Sequence, residues 1–561
     1  MWIDLSILYP LYSIDPRAVW KGQFALLIAL AAPAAVTLIP LSPDSRGLRW
    51  LKRCGLAAVL LMGGIEIFLL VCYLFYPSYL NHAEAIVAAT SWLGWEGNPL
   101  YPRLGGDVYG AQYGAALFQV TGFFLWLLGP SIGASKIPGF AAFALSQVLS
   151  FATLRRAGAG GGEALALTAV QCVVLAGFTD QGFVSGVRSD ALLFLAAQAA
   201  VLAGTSAPTL QKAAWLGLIG GLAANLKIHG ALYVLPTFVY LLSRSTGAAA
   251  ALRLTAVAGL AGIVALAVPF TPSNVSLLEY YHLFRTLSHT PWDRWLFEQN
   301  AVFAGMCLAP LFLMYLIFTP KLSHAIYWFV GALTSCMAIV SIPAAERGAG
   351  PYHLLPFLPS IMWGFFMIRR EVAAELRDPR ARGRFEGLLV GLIIALLFGY
   401  GPIVISSWST LLRIFAQTPL VSEALAEIDK TLTDNPSLKI AVGPGAESFD
   451  AQSLRVIPVF RGNPLPIDSG SWMAFELVGV NDEVIRRAIR ECRIDVWLLP
   501  LGAPFVTISH LDGRNIYSAE MLADFYATYV KQVSGRVFDQ WRCKRHESGS
   551  GLLGRSSLPI V

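Results

Sequence analysis

This sequence is short of charge. Of 561 residues only 14% are Asp, Glu, Lys or Arg, while 56% are hydrophobic. A soluble domain carries about a quarter charged residues, so the composition excludes an ordinary water-soluble globule and marks an integral membrane protein. The net charge of +6 is small for the length. The basic excess lies in short loops, where it reads as membrane topology and not as a nucleic-acid surface. Cysteine is also scarce, seven in all, with no Cys-x-x-Cys and no Cys/His spacing of a structural metal site. Cys54, Cys72, Cys172, Cys307 and Cys336 fall in or beside apolar runs and are expected to pack there. A cleavable signal peptide is not evident: residues 1–20 are mixed, and the run 22–42 is long enough to remain as a helix.

What the sequence has in abundance is apolar runs. A spanning helix needs roughly 20 such residues. Runs at 22–42, 54–77, 135–154, 163–183, 189–205, 213–226, 228–243, 253–271, 301–320, 323–342, 353–368 and 386–406 predict a polytopic α-helical membrane protein of about twelve helices. If the runs alternate, Arg46, Arg49, Lys52, Arg53, Arg155, Arg156, Arg244, Arg253, Lys321 and the arginines of 369–385 share one side. The positive-inside rule makes that side cytoplasmic. Loops 78–134, 184–188, 272–300 and 343–352, and everything after 407, then face outward. This is the orientation of a multi-pass inner (plasma) membrane protein with a periplasmic or external face. The stretch 113–129 would flip the later basic loops outward if it spanned. It is read as an interfacial helix, which suits Tyr113, Phe118, Phe123, Phe124 and Trp126. The alternative is a true span with 22–42 lying flat.

Three domains are expected: 1–53 with the extra helix, 54–406 as the membrane core with its first external loop at 78–134, and 407–561 outside. The last part carries strand-like Leu438–Gly443 and Asp495–Leu499, and helix-like Asn481–Arg490 and Ala519–Val533, which together suggest a small extracytoplasmic α/β domain. Its Cys492 and Cys543 would sit in an oxidising compartment, and spacing alone leaves a disulfide and two thiols both open. The Ser/Gly-rich tail 546–561 is expected to be loose.

Ionisable residues near membrane level are expensive and so are functional candidates. On the outward side they gather: His82 and Glu84 after the second run; Asp180, Arg188 and Asp190 around one short turn; Lys227 and His229 interrupting an apolar stretch; His282, His289, Asp293 and Glu298 before the ninth run; Glu346, Arg347, Tyr352 and His353 before the eleventh. Any one of them alone is as readily a cap or a snorkelling side chain. Together they offer carboxylates as bases and Arg188, Lys227, Arg347 and His353 as phosphate holders. A lipid phosphate suits the setting, with its head at the interface and its tail in hydrocarbon.

The cluster Asn81-His82-Ala83-Glu84 resembles the acidic motif that opens the first external loop of GT-C fold glycosyltransferases, the dolichyl-phosphate-mannose mannosyltransferase and ArnT-like superfamily. The stretch 97–120 is similar to their loop, with Tyr101 in a Pro-Leu-Tyr segment and Tyr113-Gly114 opening the next. Residues 186–204 resemble their Arg-x-Asp helix start, 217–242 their Gly-rich helix with its Lys and returning helix, and 347–363 their Tyr-His-Leu-Leu-Pro element. The segments keep the family's order from about 54 to 370. Three departures stand out: Asn81 where the family has Asp, Tyr113-Gly-Ala-Ala where it has Tyr-Gly-Pro-Leu, and the added run 22–42.

The resemblance implies an inverting glycosyltransferase of the hexosyl- or pentosyltransferase type. It would move a sugar from a polyprenyl-phosphate donor to an envelope glycan, lipid or protein on the outer side. Glu84 is the expected base and Asp190 its second or orienting partner. Arg188, Lys227, His353 and Arg347 are expected on the phosphate; Asn81, His82, Tyr101, Tyr113, His229 and Tyr352 are further candidates. His82 and Glu84 could also hold a divalent cation, although two ligands do not make a site. The rival readings are a lipid-linked glycan transporter or flippase, and an envelope scaffold with an external binding domain. Cysteine-accessibility labelling tests the topology beneath all of this: positions in 440–545 should react from outside and positions in 369–385 only from within. The reverse pattern would dismantle the orientation.

Overall fold

The computed structural model describes residues 46–102, 113–176, 185–318, 322–376, 378–444, 451–465, 469–506 and 514–546. The expected helix 22–42, Asp180 and nearly all of the expected loose tail lie outside the described residues. The chain divides into two compact units. One comprises residues 1–75, 138–269 and 292–416; the other comprises 76–137, 270–291 and 417–561.

Five helices are long and apolar enough to cross a membrane among the described residues: Arg53–Phe75, Ile132–Arg156, Ala248–Phe270, Arg294–Phe318 and His324–Ala345. Gly161–Leu175 and Ser189–Gly204 are apolar but shorter. The chain order is α1 (Arg46–Phe75), α2 (His82–Trp95), α3 (Ala115–Leu128), α4 (Ile132–Arg156), α5 (Gly161–Ala176), α6 (Ser189–Gly204), α7 (Leu210–Leu226), α8 (Leu235–Ser243), α9 (Ala248–Ala267), α10 (Leu277–Leu287), α11 (Arg294–Phe318), α12 (His324–Ser341), α13 (Leu358–Glu375) and α14 (Pro379–Asp434). Two of the expected runs are not single helices. The run 228–243 is a 3-10 turn, Gly230–Tyr233, followed by the short α8. The run 353–368 begins in a 3-10 segment, Pro351–Phe357, before α13. Prolines at 236, 351 and 356 remove helical N–H groups and favour these breaks. The last run is longer than expected: α14 passes residue 407 without interruption and ends at Asp434. Helix α3 has 14 residues, which rise only about 21 Å and fall short of a hydrocarbon core of about 30 Å.

In the first unit, α7 and α9 are held close by small residues. A Cβ on Gly217 would strike the Ala258 carbonyl, and one on Gly221 would strike the Gly262 carbonyl. Lipid tails give two apolar helices no reason to associate, so contact depends on such close backbone approach. Ala200, Ala213, Leu216, Val234, Leu241, Leu254 and Ala258 form the adjoining core.

The second unit contains a four-stranded sheet with β1 (Ile440–Val442), β2 (Val496–Pro500), β3 (Tyr529–Ser534) and β4 (Phe538–Cys543) in the order β1-β2-β4-β3. β1 pairs parallel with β2, and the other pairs are antiparallel. Six further short elements are described in the C-terminal part: a 3-10 turn Ala451–Leu454, α15 (Val456–Phe460), α16 (Ser469–Leu477), α17 (Glu483–Arg490), α18 (Ala519–Thr528) and a 3-10 turn Lys544–His546. The helical stretch expected over 519–533 stops at Thr528, and its last five residues lie in β3. Tyr529 and Val530 pair with Cys543 and Arg542, so cross-strand pairing overrides a local pattern that also fits a helix. The β3–β4 turn is tied to α14: the Glu427 carboxylate accepts from the backbone N–H groups of Arg536, Val537 and Phe538 at 3.1, 2.9 and 3.2 Å.

A disulfide joins Cys492 to Cys543 across 51 residues of sequence. Closing a loop of that size stabilises a fold by about 2–4 kcal/mol. Replacing both cysteines by Ser should therefore increase proteolysis of 440–545 in the full-length protein. Reductant should do the same to the wild type and leave the double variant unchanged.

Candidate functional site

The first unit holds a buried charge cluster. Arg188 is the N-cap of α6, and Asp190 sits in that helix's first turn. The turn is pressed against α4: a Cβ on Gly139 would collide with the carbonyls of Ser185 and Gly186. Lys227 ends α7 in an extended conformation, φ −146° and ψ 139°. The chain then folds back so tightly that a Cβ on Gly230 would strike the Ala223 carbonyl. This fold-back turns Lys227 inward. Its Nζ donates to Asp190 Oδ1 at 2.6 Å, and Arg188 Nε lies 3.5 Å from Asp190 Oδ2. Arg188 and Lys227 are each 8% exposed and Asp190 is 3% exposed. Two cations thus converge on one carboxylate, in surroundings of low dielectric where charges act strongly.

Tyr352 lies beneath both cations. The Arg188 guanidinium is 5.4 Å and the Lys227 ammonium 5.0 Å from its ring centre, within cation–π range. The next residue, His353, stacks beside Tyr352, and its Nδ1 is 3.3 Å from His229 Nε2. Tyr233 donates its hydroxyl to the His353 carbonyl at 2.7 Å. The structure thus brings together Arg188, Asp190, Lys227, His229, Tyr352 and His353, six candidates from three stretches of sequence. Arg347 is exposed and makes none of these contacts among the described residues. Glu346 is half-buried, and burial raises its carboxyl above the ordinary range. Asp293 caps α11 through the Trp295 and Leu296 N–H groups, and Glu298 pairs with Arg294 at the surface. For those two the ordinary structural role suffices.

The second unit holds the opening motif. Asn81 is the N-cap of α2, and its side chain accepts from Ala83 N at 2.8 Å. Asn caps a helix as well as Asp does, which gives a physical account of Asn in this position. Glu84 stands in the first turn and is fully buried, where the helix dipole favours a carboxylate. His82 is half-buried, and its carbonyl accepts from Arg455 of the C-terminal part at 3.0 Å. Against this helix lie Phe460, edge-on to Trp92, and α3, whose Gly122 has no room for a Cβ beside the Ser91 carbonyl. The Asn98–Tyr101 block is stapled down. Asn274 donates to the carbonyls of Gly94 and Asn98, and the Tyr101 hydroxyl donates to the Tyr113 carbonyl at 2.8 Å. Burial, then the neighbouring Tyr280, hold the Tyr101 hydroxyl well above the usual phenol range.

The sequence reading passed over Lys136 in the same unit. It is fully buried, with Nζ donating to the Tyr76 and Ser78 carbonyls at 2.7 and 2.6 Å. The available signal was a lone ammonium second in the run 135–154. Glu66, buried in the middle of α1, was passed over in the same way. Among the described residues no three His, Cys, Asp or Glu side chains converge as a metal site would need, so none is assigned to His82 and Glu84.

No protein-family model and no curated protein matches this chain. Solved structures do. ArnT from Cupriavidus metallidurans bound to undecaprenyl phosphate aligns at a TM-score of 0.51 and 13% identity, over 86% of this chain and 97% of that one. The apo state of the same protein aligns at 0.48 and 14% identity over the same shares. The chain has the GT-C fold.

The charge cluster makes its own prediction. Removing one partner from a buried ion pair destabilises by about 3–5 kcal/mol, because the remaining charge stays buried without compensation. Asp190→Asn should therefore lower the thermal stability of the purified protein far more than Arg347→Gln at the exposed position. Equal melting temperatures for the two variants would contradict the ion-paired arrangement.

Proposed function

We propose that this protein is a membrane glycosyltransferase that takes a sugar from a polyprenyl-phosphate donor at the outer face of the inner (plasma) membrane. The observation that carries the reading is the buried cluster in which Arg188 and Lys227 converge on Asp190. It supports binding of a monoanionic or dianionic phosphate on a lipid. A chain with the fold of a protein crystallised with undecaprenyl phosphate gives that anion a plausible identity. Tyr352 and His353 shape the same cluster. Asp190 already holds two cations, which suits it to orienting them and not to taking a proton.

In this reading Glu84 is the base. Its carboxylate accepts the proton of an acceptor hydroxyl, and the hydroxyl oxygen forms a bond to the anomeric carbon. The bond from that carbon to the phosphate oxygen breaks, and the electron pair leaves with the polyprenyl phosphate. Attack from the face opposite the leaving group inverts the anomeric centre. The acceptor is an envelope glycan, lipid or protein carrying a free hydroxyl. Arg188 and Lys227 also stabilise the phosphate as it departs.

A transfer assay with purified protein and a panel of polyprenyl-phosphate sugars tests the reading. Glu84→Gln should lower kcat by about 10²- to 10⁴-fold, the usual range for a general base, with the donor KM little changed. Full transfer by Glu84→Gln would remove Glu84 as the base. No transfer by the wild type from any donor, with movement of a lipid-linked glycan across liposomes, would replace the enzyme by a transporter.

A further inference from the structure

Lys136 lies near the start of α4 and is, among the described residues, the largest charged side chain with no exposure at all. An ammonium so placed is costly unless it is held. Two backbone carbonyls hold it, those of Tyr76 and Ser78. They belong to the short stretch that leads directly into Asn81 and Glu84. The rings of Tyr76 and Tyr79 flank the ammonium, each with its centre 5.6 Å away. The residue before it, Ser135, shares a 2.8 Å hydrogen bond with the Tyr79 hydroxyl. The Glu84 carboxylate acts electrostatically on both Lys136 and Tyr79. A structural anchor for the 76–78 backbone would need the carbonyl bonds alone. It would not need a fully buried carboxylate within reach of the same charge.

We propose that Lys136 is a positioning residue for Glu84, fixing the approach of the chain to α2 and setting its ammonium within electrostatic reach of the Glu84 carboxylate. The inference rests on the reading of Glu84 as the base. Among the described residues, Arg455 reaches the His82 carbonyl at the start of this helix, and Tyr79 also feels the Glu84 charge. Arg455 braces the helix start from the C-terminal side; Lys136 braces it from α4. An ammonium within reach favours the ionised carboxylate, the form that can take a proton, where burial alone would favour the neutral acid.

The test uses the full-length protein with Lys136→Met, Lys136→Arg, Glu84→Gln and the double variant Lys136→Met/Glu84→Gln. Lys136→Met should lose about 10- to 100-fold in kcat per folded molecule with the donor KM unchanged, as expected for a group that orients the base. Lys136→Arg should recover part of the loss. In the Glu84→Gln background, Lys136→Met should cost nothing further, because the two act as one unit. A second arm needs no activity. Dicyclohexylcarbodiimide adds to protonated carboxyls in apolar surroundings, so mass spectrometry should find Glu84 labelled in Lys136→Met and unlabelled in the wild type. Additive kinetic losses, or equal labelling of Glu84 in the two proteins, overturn the proposal. If the wild type transfers no sugar, the glycosyltransferase reading fails and the labelling arm still decides the hold of Lys136 on Glu84. Should Lys136→Met not fold, Lys136→Gln keeps a donor for the carbonyls without the charge and reads the charge alone.

Discussion

The 2.6 Å ion pair between Lys227 and Asp190 is the interaction on which much of the first unit depends. A carboxylate in apolar surroundings must be neutralised or abandoned as an ion. Asp190 is neutralised twice over, and the local fold reads as the means of doing so. Helix α7 stops at Lys227 instead of running on. Gly230 lets the chain double back beneath it. Arg188 leaves the helical conformation at the head of α6. The proline-rich segment before α13 brings the face of Tyr352 under both cations. Each of these irregularities would be a defect in a simple membrane span, and each puts a charge or a ring where the cluster needs it.

The second unit solves a related problem in a different way. Glu84 is buried at the start of a helix, with a capped N-terminus on one side and buried cations nearby. The groups about this helix start come from distant parts of the chain: Lys136 from α4 and Arg455 from the C-terminal part. Fold likeness at 13% identity leaves little room for shared side chains. What can persist at that distance is the path of the backbone, and in this chain the helix starts, breaks and glycine contacts determine that path.

The features that were legible in the sequence share a cause. Long apolar runs, basic loops and the polar groups between them are imposed by the bilayer, which tolerates few exceptions. The break at Lys227 was visible because a charge interrupted a run, whereas the 3-10 segment Pro351–Phe357 lies at the start of a stretch that reads as a helix. Lys136 and Glu66 were not visible, because a single charge barely alters the average of an apolar run that is otherwise intact. Burial and partners reveal such residues, and neither is written in the local pattern. The continuation of α14 beyond residue 407 was hidden for the opposite reason. The change to polar composition there looks like the end of a structural element, whereas it changes the surroundings of one uninterrupted helix. Tyr529–Val533 could serve as the end of a helix or the start of a strand, and only the pairing with β4 decides between them. Asn81 looked like a lost acid and is a helix cap.

The hydrogen bond from Arg455 to the His82 carbonyl spans 373 residues of sequence. A ribosome adding about 5–20 residues per second needs roughly 20 to 75 seconds to cover that distance. For that interval the Asn81–Glu84 turn has left the ribosome while its C-terminal brace does not yet exist. The order of synthesis therefore delays completion of this carboxylate's surroundings until almost the whole chain has been made. A nascent or truncated chain would carry the motif in full and lack the groups that set it.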